Sequence, residues 1–325
     1  GKFIIEHISD SYEWHILTYG QHHVSIPLPV LLYSQHTGFH VFMSSKFHHG
    51  QEPYNGFHIS HDEPNKGKIV EDVMGEMIVP LDISLTKNVV SIWFSLIIIT
   101  VLFISIARTY KRNPASAPKG LQNALEIIIL FVRDDIVKAS IQGKKHEKYL
   151  PFLLTLFFFI LINNLLGLVP IFPGGANVTG NIAVTMVLAL ITFLITTFSG
   201  NKAYWLHIFN APGVPWWLKF PLPLIPLIEF LGIFIKPFVL MVRLFANITA
   251  GHIIVLGFFS LIFIFGNLNM FAGYGVSVIS IAFTIFMTVL ELLVAFIQAY
   301  VFTLLSAIYF GMATEEHLHH EEHHH

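Results

Sequence analysis

The sequence predicts an all-α multi-pass membrane protein with a small, partly β extramembrane region at its N-terminus. Three observations carry that prediction. Only 12% of the 325 residues are charged, against about 25% in an ordinary soluble domain. The mean hydropathy is +0.67, so much of the surface must face lipid. Residues 1–86 are of different material, polar and rich in His, Gly and Pro, while the rest is built from long apolar runs.

Within residues 1–86, the alternating runs 24–33 and 39–47 read as strands, and Tyr54-Asn55-Gly56 reads as a turn. The first span is 88–107, NVVSIWFSLIIITVLFISIA. Its length of ~20 residues suffices to cross a hydrocarbon core of ~30 Å. A basic loop follows with Arg108, Lys111, Arg112 and Lys119. Residues 120–142 then carry Leu121, Leu125, Ile128, Ile129 and Val132 on one helical face, the pattern of an amphipathic helix lying on the membrane surface. Further spans are predicted at 149–169 and 182–198. Between them runs a Pro/Gly loop, and after them a mixed loop with Lys202 and Lys219.

Two long apolar segments, 221–265 and 273–310, complete five crossings; each exceeds one perpendicular span and is expected to tilt strongly. The membrane domain is thus 87–312, and 313–325 is an acidic, His-rich tail. Lys and Arg concentrate after the first span, which puts that loop and the C-terminus in the cytoplasm and residues 1–86 outside. The sequence begins at Gly1 rather than Met, which reads as processing such as removal of a signal peptide.

Composition also excludes function classes. A net charge of −2 does not point to nucleic acid. With no cysteine, disulfides, thiolate metal sites and cysteine nucleophiles are excluded. No GxxxxGK[ST] loop for nucleotide phosphates occurs. Ten histidines in the N-terminal region (His7, His15, His22, His23, His36, His40, His48, His49, His58 and His61) lack fixed ligand spacing. They are read as a solvated surface or local proton buffer, and no metal or cofactor is expected. Asn177-Val178-Thr179 and Asn247-Ile248-Thr249 match the glycosylation pattern, but the second lies in an apolar helix.

Between Leu150 and Ala313 the Asp, Glu, Lys and Arg residues are Lys202, Lys219, Glu229, Lys236, Arg243 and Glu291. Arg243 lies within FVLMVRLFANITAGHIIVLGFF, apolar on both sides. A central Arg costs roughly 2.5–3.5 kcal/mol even on the lenient insertion scale, and it cannot shed its proton. It therefore needs a partner or water. Asn247, one turn on, shares its face, whereas His252 points nearly opposite. In the last segment Glu291 and Gln298 share a face. If the two segments pack antiparallel, Arg243 reaches the level of Gln298 while His252 approaches Glu291. Titratable groups interrupted by a fixed cation are what a proton path in two halves requires. A structural anchor for Arg243 and a plain interhelical contact for His252 with Glu291 are the blander readings. For Lys236, just before Pro237, the structural reading is preferred.

RLFANITAGH at 243–252, LELLVAFIQAYVFTLLSAIYF at 290–310 and LPFLLTLFFFILINNLLGLVP at 150–170 together resemble the a subunit of F-type ATP synthases over roughly 85–312. The resemblance implies a non-catalytic subunit of a hetero-oligomeric ATP synthase in the bacterial inner membrane. Its implied partners are the rotor c-ring, peripheral-stalk b subunits and lipid. It implies that Arg243 is the essential arginine facing the ring and Gln298 its neighbour. Asn247, His252 and Glu291 would line the outer half-channel, and Glu229 the inner outlet. Tyr309, Lys236, Asn163 and Asn164 are further candidates. Gly167 stands where some members carry Asp, and the N-terminal region is expected to lie outside the family pattern. The rivals are a self-contained secondary transporter, a membrane haem or metal enzyme, and a scaffold without transport.

Overall fold

The computed structural model describes residues 9–19, 22–62, 64–112, 117–169, 172–209 and 224–315. It forms two compact units, Gly1–Ile97 with Leu166–Val178, and Ile98–Leu165 with Thr179–His325.

Among the described residues, the first unit holds eight strands in three small antiparallel sheets. They are β1 (Glu13–Tyr19) with β2 (His22–Pro27); β4 (Gly38–Met43), β3 (Pro29–Ser34) and β8 (Leu81–Asp82); and β5 (Phe57–Ile59), β6 (Ile69–Val73) and β7 (Glu76–Ile78). The predicted strand 24–33 is really two, broken at Leu28 and divided between sheets. The predicted strand 39–47 stops at Met43 and turns into the 3-10 helix Ser44–Phe47. That turn drives Phe47 into a core with Tyr12, Val30, Leu32, Phe57 and Ile69. At the predicted turn, Asn55 and Gly56 take φ of 51° and 82°. The amides of Tyr54 and Phe57 bond each other's carbonyls at 2.8 and 2.9 Å, a two-residue hairpin turn with positive φ at both central residues.

Several polar groups inside this unit are paired. The carboxylate of Glu71, 3% exposed, accepts from the hydroxyls of Ser34 and Thr37. The Tyr12 hydroxyl donates to Asp82, and burial together with that carboxylate pushes the phenol well above its ordinary range. Asp10 accepts from the Asn88 amide at 3.0 Å. That places a carboxylate on the free N–H groups at the start of α1 (Lys87–Arg112), where the helix dipole favours negative charge.

The second unit is helical. It contains α2 (Leu121–Phe131), which runs on through a π-turn at Val132–Val137 into the short helix Lys138–Ser140. With it are α4 (Ile182–Ser199), α5 (Lys202–Phe209), α6 (Leu224–Leu268), α7 (Met270–Thr314) and most of α3 (His146–Leu168). Among the described residues, five helices are long and apolar enough to cross a membrane: α1, α3, α4, α6 and α7. At 1.5 Å per residue, α6 and α7 with 45 residues each are about 67 Å long. A helix of that length stays in a ~30 Å core only by tilting strongly.

Two sequence expectations change here. The amphipathic segment is not a uniform helix with one lipid-facing stripe. Leu121 is 65% exposed, whereas Val132, Ile136, Val137 and Ile141 are buried in the main core, because the π-turn re-aims the residues after Phe131. And the mixed loop after the third predicted span contains α5. The segments around Lys219 and the tail beyond Glu315 lie outside the described residues.

The hydrophobic effect does not drive helices together in lipid, so close packing and polar bonds must do it. The buried stripe of α7 suits that role, with Ala295, Ala299, Phe302, Ser306, Phe310 and Ala313 at helical period. Asn164 on α3 donates to the Ala295 carbonyl at 3.2 Å and accepts from Thr179 at 2.6 Å. The hydroxyls of Thr192 on α4 and Ser306 on α7 lie 3.4 Å apart. At the C-terminal end of α7, Lys145 donates to the Thr314 carbonyl at 2.8 Å, a cation on the negative end of the helix dipole.

Candidate functional site

The helices α6 and α7 form an antiparallel hairpin. The capping side chain of Asn269 accepts from the Phe271 amide and starts α7 immediately after α6 ends. Phe258 stacks on Phe283 with ring centroids 5.1 Å apart, and His252 Nδ1 lies 3.5 Å from Glu291 Oε1. Carried on, this register brings Arg243 to the level of Ala299 and Gln298.

The hairpin holds two polar zones. The first is the His252–Glu291 couple, whose side chains are only 18% and 11% exposed. Glu291 Oε1 is buried and accepts no hydrogen bond among the described residues. It fits there because the residue beside His252 is Gly251: a Cβ on Gly251 would meet Glu291 Oε1 at 2.5 Å. Without that glycine the carboxyl would have to move.

The second zone lies at the other end of the hairpin. Tyr204 and His207 of α5, Glu229 and Lys236 of α6, and Glu315 just after α7 line a cavity of about 200 Å³. Asn201 fixes α5 there. Its backbone amide donates to the Ala313 carbonyl at 3.0 Å and its side chain to the Glu315 carbonyl at 2.6 Å. The same side chain accepts from the Tyr204 amide at 2.7 Å. Burial, and secondarily the charge of Glu229, push the Tyr204 phenol above its ordinary range, so it stays protonated. A narrower void of about 10 Å³ shares Tyr204, Ile233 and Lys236 with this cavity and is walled further in by Thr192, Thr196, Leu240 and Tyr309. The ammonium of Lys236 sits 5.5 Å from the centre of the Tyr309 ring, a cation–π distance.

Arg243 lies between the zones. Along the axis it is about 21 Å from Glu229 and about 14 Å from His252 at 1.5 Å per residue. Its side chain is exposed, as is that of Asn247 one turn on, while Leu240 and Leu244 turn into the core. Among the described residues no carboxylate forms an ion pair with Arg243. Around it the surface is apolar, with Phe238, Val239 and Val242 on α6 and Leu292, Leu293, Phe296 and Ile297 on α7 exposed.

The remaining sequence candidates divide. Gln298 shares Arg243's level but is 6% exposed, so it faces inward where Arg243 faces outward. Asn164 uses its amide to tie α3 to α7 and to Thr179, and Asn163 donates to the carbonyl of Phe159 in its own helix. Both are buried. Sequence reasoning missed Tyr204, His207 and Gly251. The first two lie in KAYWLHIF, too short for periodicity to reveal a face; Gly251 had only its place next to His252 as a signal.

A family model described as "ATP synthase A chain" matches residues 89–311.

The chain belongs to the ATP synthase A chain family.

Among curated relatives, "ATP synthase subunit a" of Chlorobium phaeobacteroides is 42% identical over 300 residues, covering 84% of this chain and 83% of the relative. "ATP synthase subunit a 2" of Chlorobaculum tepidum is 43% identical, over 87% of this chain and 74% of the relative. "ATP synthase subunit a" of Myxococcus xanthus is 42% identical, over 78% and 81%. An 84% share exceeds what the chain holds from Lys87 onward. The alignment with that relative therefore reaches into the N-terminal region, while the family model itself begins at residue 89 and leaves that region out, in keeping with the expectation. A second model, "Domain of unknown function (DUF8433)", matches residues 3–83. Membership makes this A chain a membrane component of a hetero-oligomeric ATP synthase.

Proposed function

We propose that the chain is the proton-translocating stator subunit of an F-type ATP synthase, working in two half-channels against a rotor ring of c subunits. The observation that carries this reading is Arg243: a permanent cation, exposed on an apolar face, with no carboxylate partner among the described residues, between two titratable zones. An exposed Arg facing lipid alone would be costly. A carboxylate on a neighbouring subunit supplies what it lacks.

The proton enters from the outer side past Asn247 and the His252–Glu291 couple and neutralises a ring carboxylate. The neutral site turns through lipid, where an ionised one would be expensive. After nearly a full turn it meets the inner zone at Glu229 and releases its proton. Beside Arg243 the carboxylate is favoured ionised, since a nearby cation stabilises the anion. Arg243 also bars protons from passing directly between the zones. Each charge crossing the membrane yields roughly 2.3 kcal/mol per 100 mV, which drives rotation. Gln298, buried at the same level, packs behind Arg243. The chain itself neither makes nor cleaves ATP. It sits in a bacterial inner membrane beside peripheral-stalk b subunits, with residues 1–86 outside and the C-terminus in the cytoplasm.

The test is ATP-driven acidification of inverted membrane vesicles carrying the whole complex, wild type against Arg243→Ala. Loss of pumping with the complex still assembled is expected. Undiminished pumping would overturn the channel reading.

A further inference from the structure

The 200 Å³ cavity at the C-terminal end of α7 has one wall from outside the two long helices. That wall is α5, pinned by Asn201 to the carbonyls of Ala313 and Glu315. It carries His207, which is exposed, and Tyr204, which is partly buried. Glu229 and Lys236 face the same space from α6, and Glu315 from beyond α7. The narrow void shares Tyr204, Ile233 and Lys236 with it and is lined beyond them by Tyr309 and by Leu240, three residues before Arg243. The cavity carries polar groups from each of its walls among apolar ones and has room for several waters.

On the half-channel reading, protons are exchanged here between Glu229, with Glu315 nearer the mouth, and bulk water in which free protons are scarce. Among the side chains lining this cavity, His207 is the one imidazole, the side-chain type best suited to shuttling protons near neutral pH. Tyr204 stays protonated. Lysine ordinarily stays charged, and a carboxylate stays ionised, near pH 7.

We propose that His207 is the proton-exchange group of this vestibule, passing protons between Glu229 and the solvent on the C-terminal side. In the direction of release, the Glu229 carboxyl gives its proton, through cavity water, to the neutral imidazole. The imidazolium so formed gives a proton to buffer or water outside, which restores both groups. The inference rests on the half-channel reading above, since it assigns a new residue to the inner outlet of that path.

The experiment uses the whole complex in inverted vesicles, whose exterior is the C-terminal side. Initial rates of ATP-driven acidification are measured from pH 6 to 9 for wild type, His207→Ala and His207→Gln, with and without added imidazole, and assembly is checked by subunit content. The expected result is a fall of about tenfold for both variants, steepest at alkaline pH. That is less than the ~100-fold typical of removing a positioned acid–base group, because cavity water still carries protons. Imidazole, which fits the space vacated in His207→Ala, restores the rate. Wild-type rates and pH profile in both variants would overturn the proposal. So would slowed rates with an unchanged profile and no imidazole response, which would mark His207 as a wall residue. Should the Ala variant fail to assemble, the Gln variant decides by its pH profile. Arg243→Ala run in parallel separates the two levels. If it still pumps, the half-channel reading fails; if it is dead while His207→Gln is normal, only the present inference fails.

Discussion

The two polar zones of the α6–α7 hairpin differ in construction. The His252–Glu291 zone is closed, made from two side chains on two helices that Gly251 allows to meet, with 11–18% exposure. The Glu229 zone is open, made from three elements around a cavity, with its titratable groups spread along the walls. A closed couple holds a proton at a defined atom. An open vestibule equilibrates protons with solvent. Between them stands a cation that can do neither, because Arg does not lose its proton. The contrast teaches that one helix pair builds two kinds of polar zone, depending on whether a third element stands beside it; on the proposed reading these are two kinds of proton site.

The largest effect should come from the residue that separates the zones. Arg243→Lys keeps a positive charge but substitutes a group that can deprotonate when desolvated. It is expected to abolish ATP-driven acidification nearly as fully as Arg243→Ala, with the complex still present in the membrane. Normal pumping would mean that charge alone matters there.

The next effect tests whether the first zone is truly closed. Gly251→Ala places a methyl 2.5 Å from the present position of Glu291 Oε1, and overpacking of this kind typically costs 1–3 kcal/mol. A fall in pumping of about tenfold or more is expected. Gly232→Ala, where no atom lies within 4 Å of the added Cβ, should pump normally. Equal behaviour of the two variants would show that the couple has slack.

The smallest effect belongs to Tyr204 in the open zone. Its phenol is held above its ordinary range by burial and secondarily by Glu229, which favours the neutral form and makes it a poor proton-exchange group. Tyr204→Phe should therefore lower the pumping rate by less than about twofold and leave the shape of the pH profile unchanged, unlike substitution of His207. A displaced profile would move the exchange role from His207 to Tyr204.

Much was legible in the residues alone. Five apolar runs mark the five candidate spans, because hydropathy over some twenty residues is a local property that lipid reads directly. Arg243 announced itself because the cost of an Arg among apolar neighbours does not depend on the fold. Tyr54-Asn55-Gly56 specified its own turn, since Asn and Gly tolerate positive φ. The tertiary structure decided what depends on distant partners. The break at Leu28 follows from strands joining different sheets. The inward placement of Gln298, against the outward Arg243 at the same level, follows from the core that α7 meets. The cavity exists because Asn201 binds α5 to carbonyls more than a hundred residues away. Periodicity tells which residues share a face; only packing decides what that face touches.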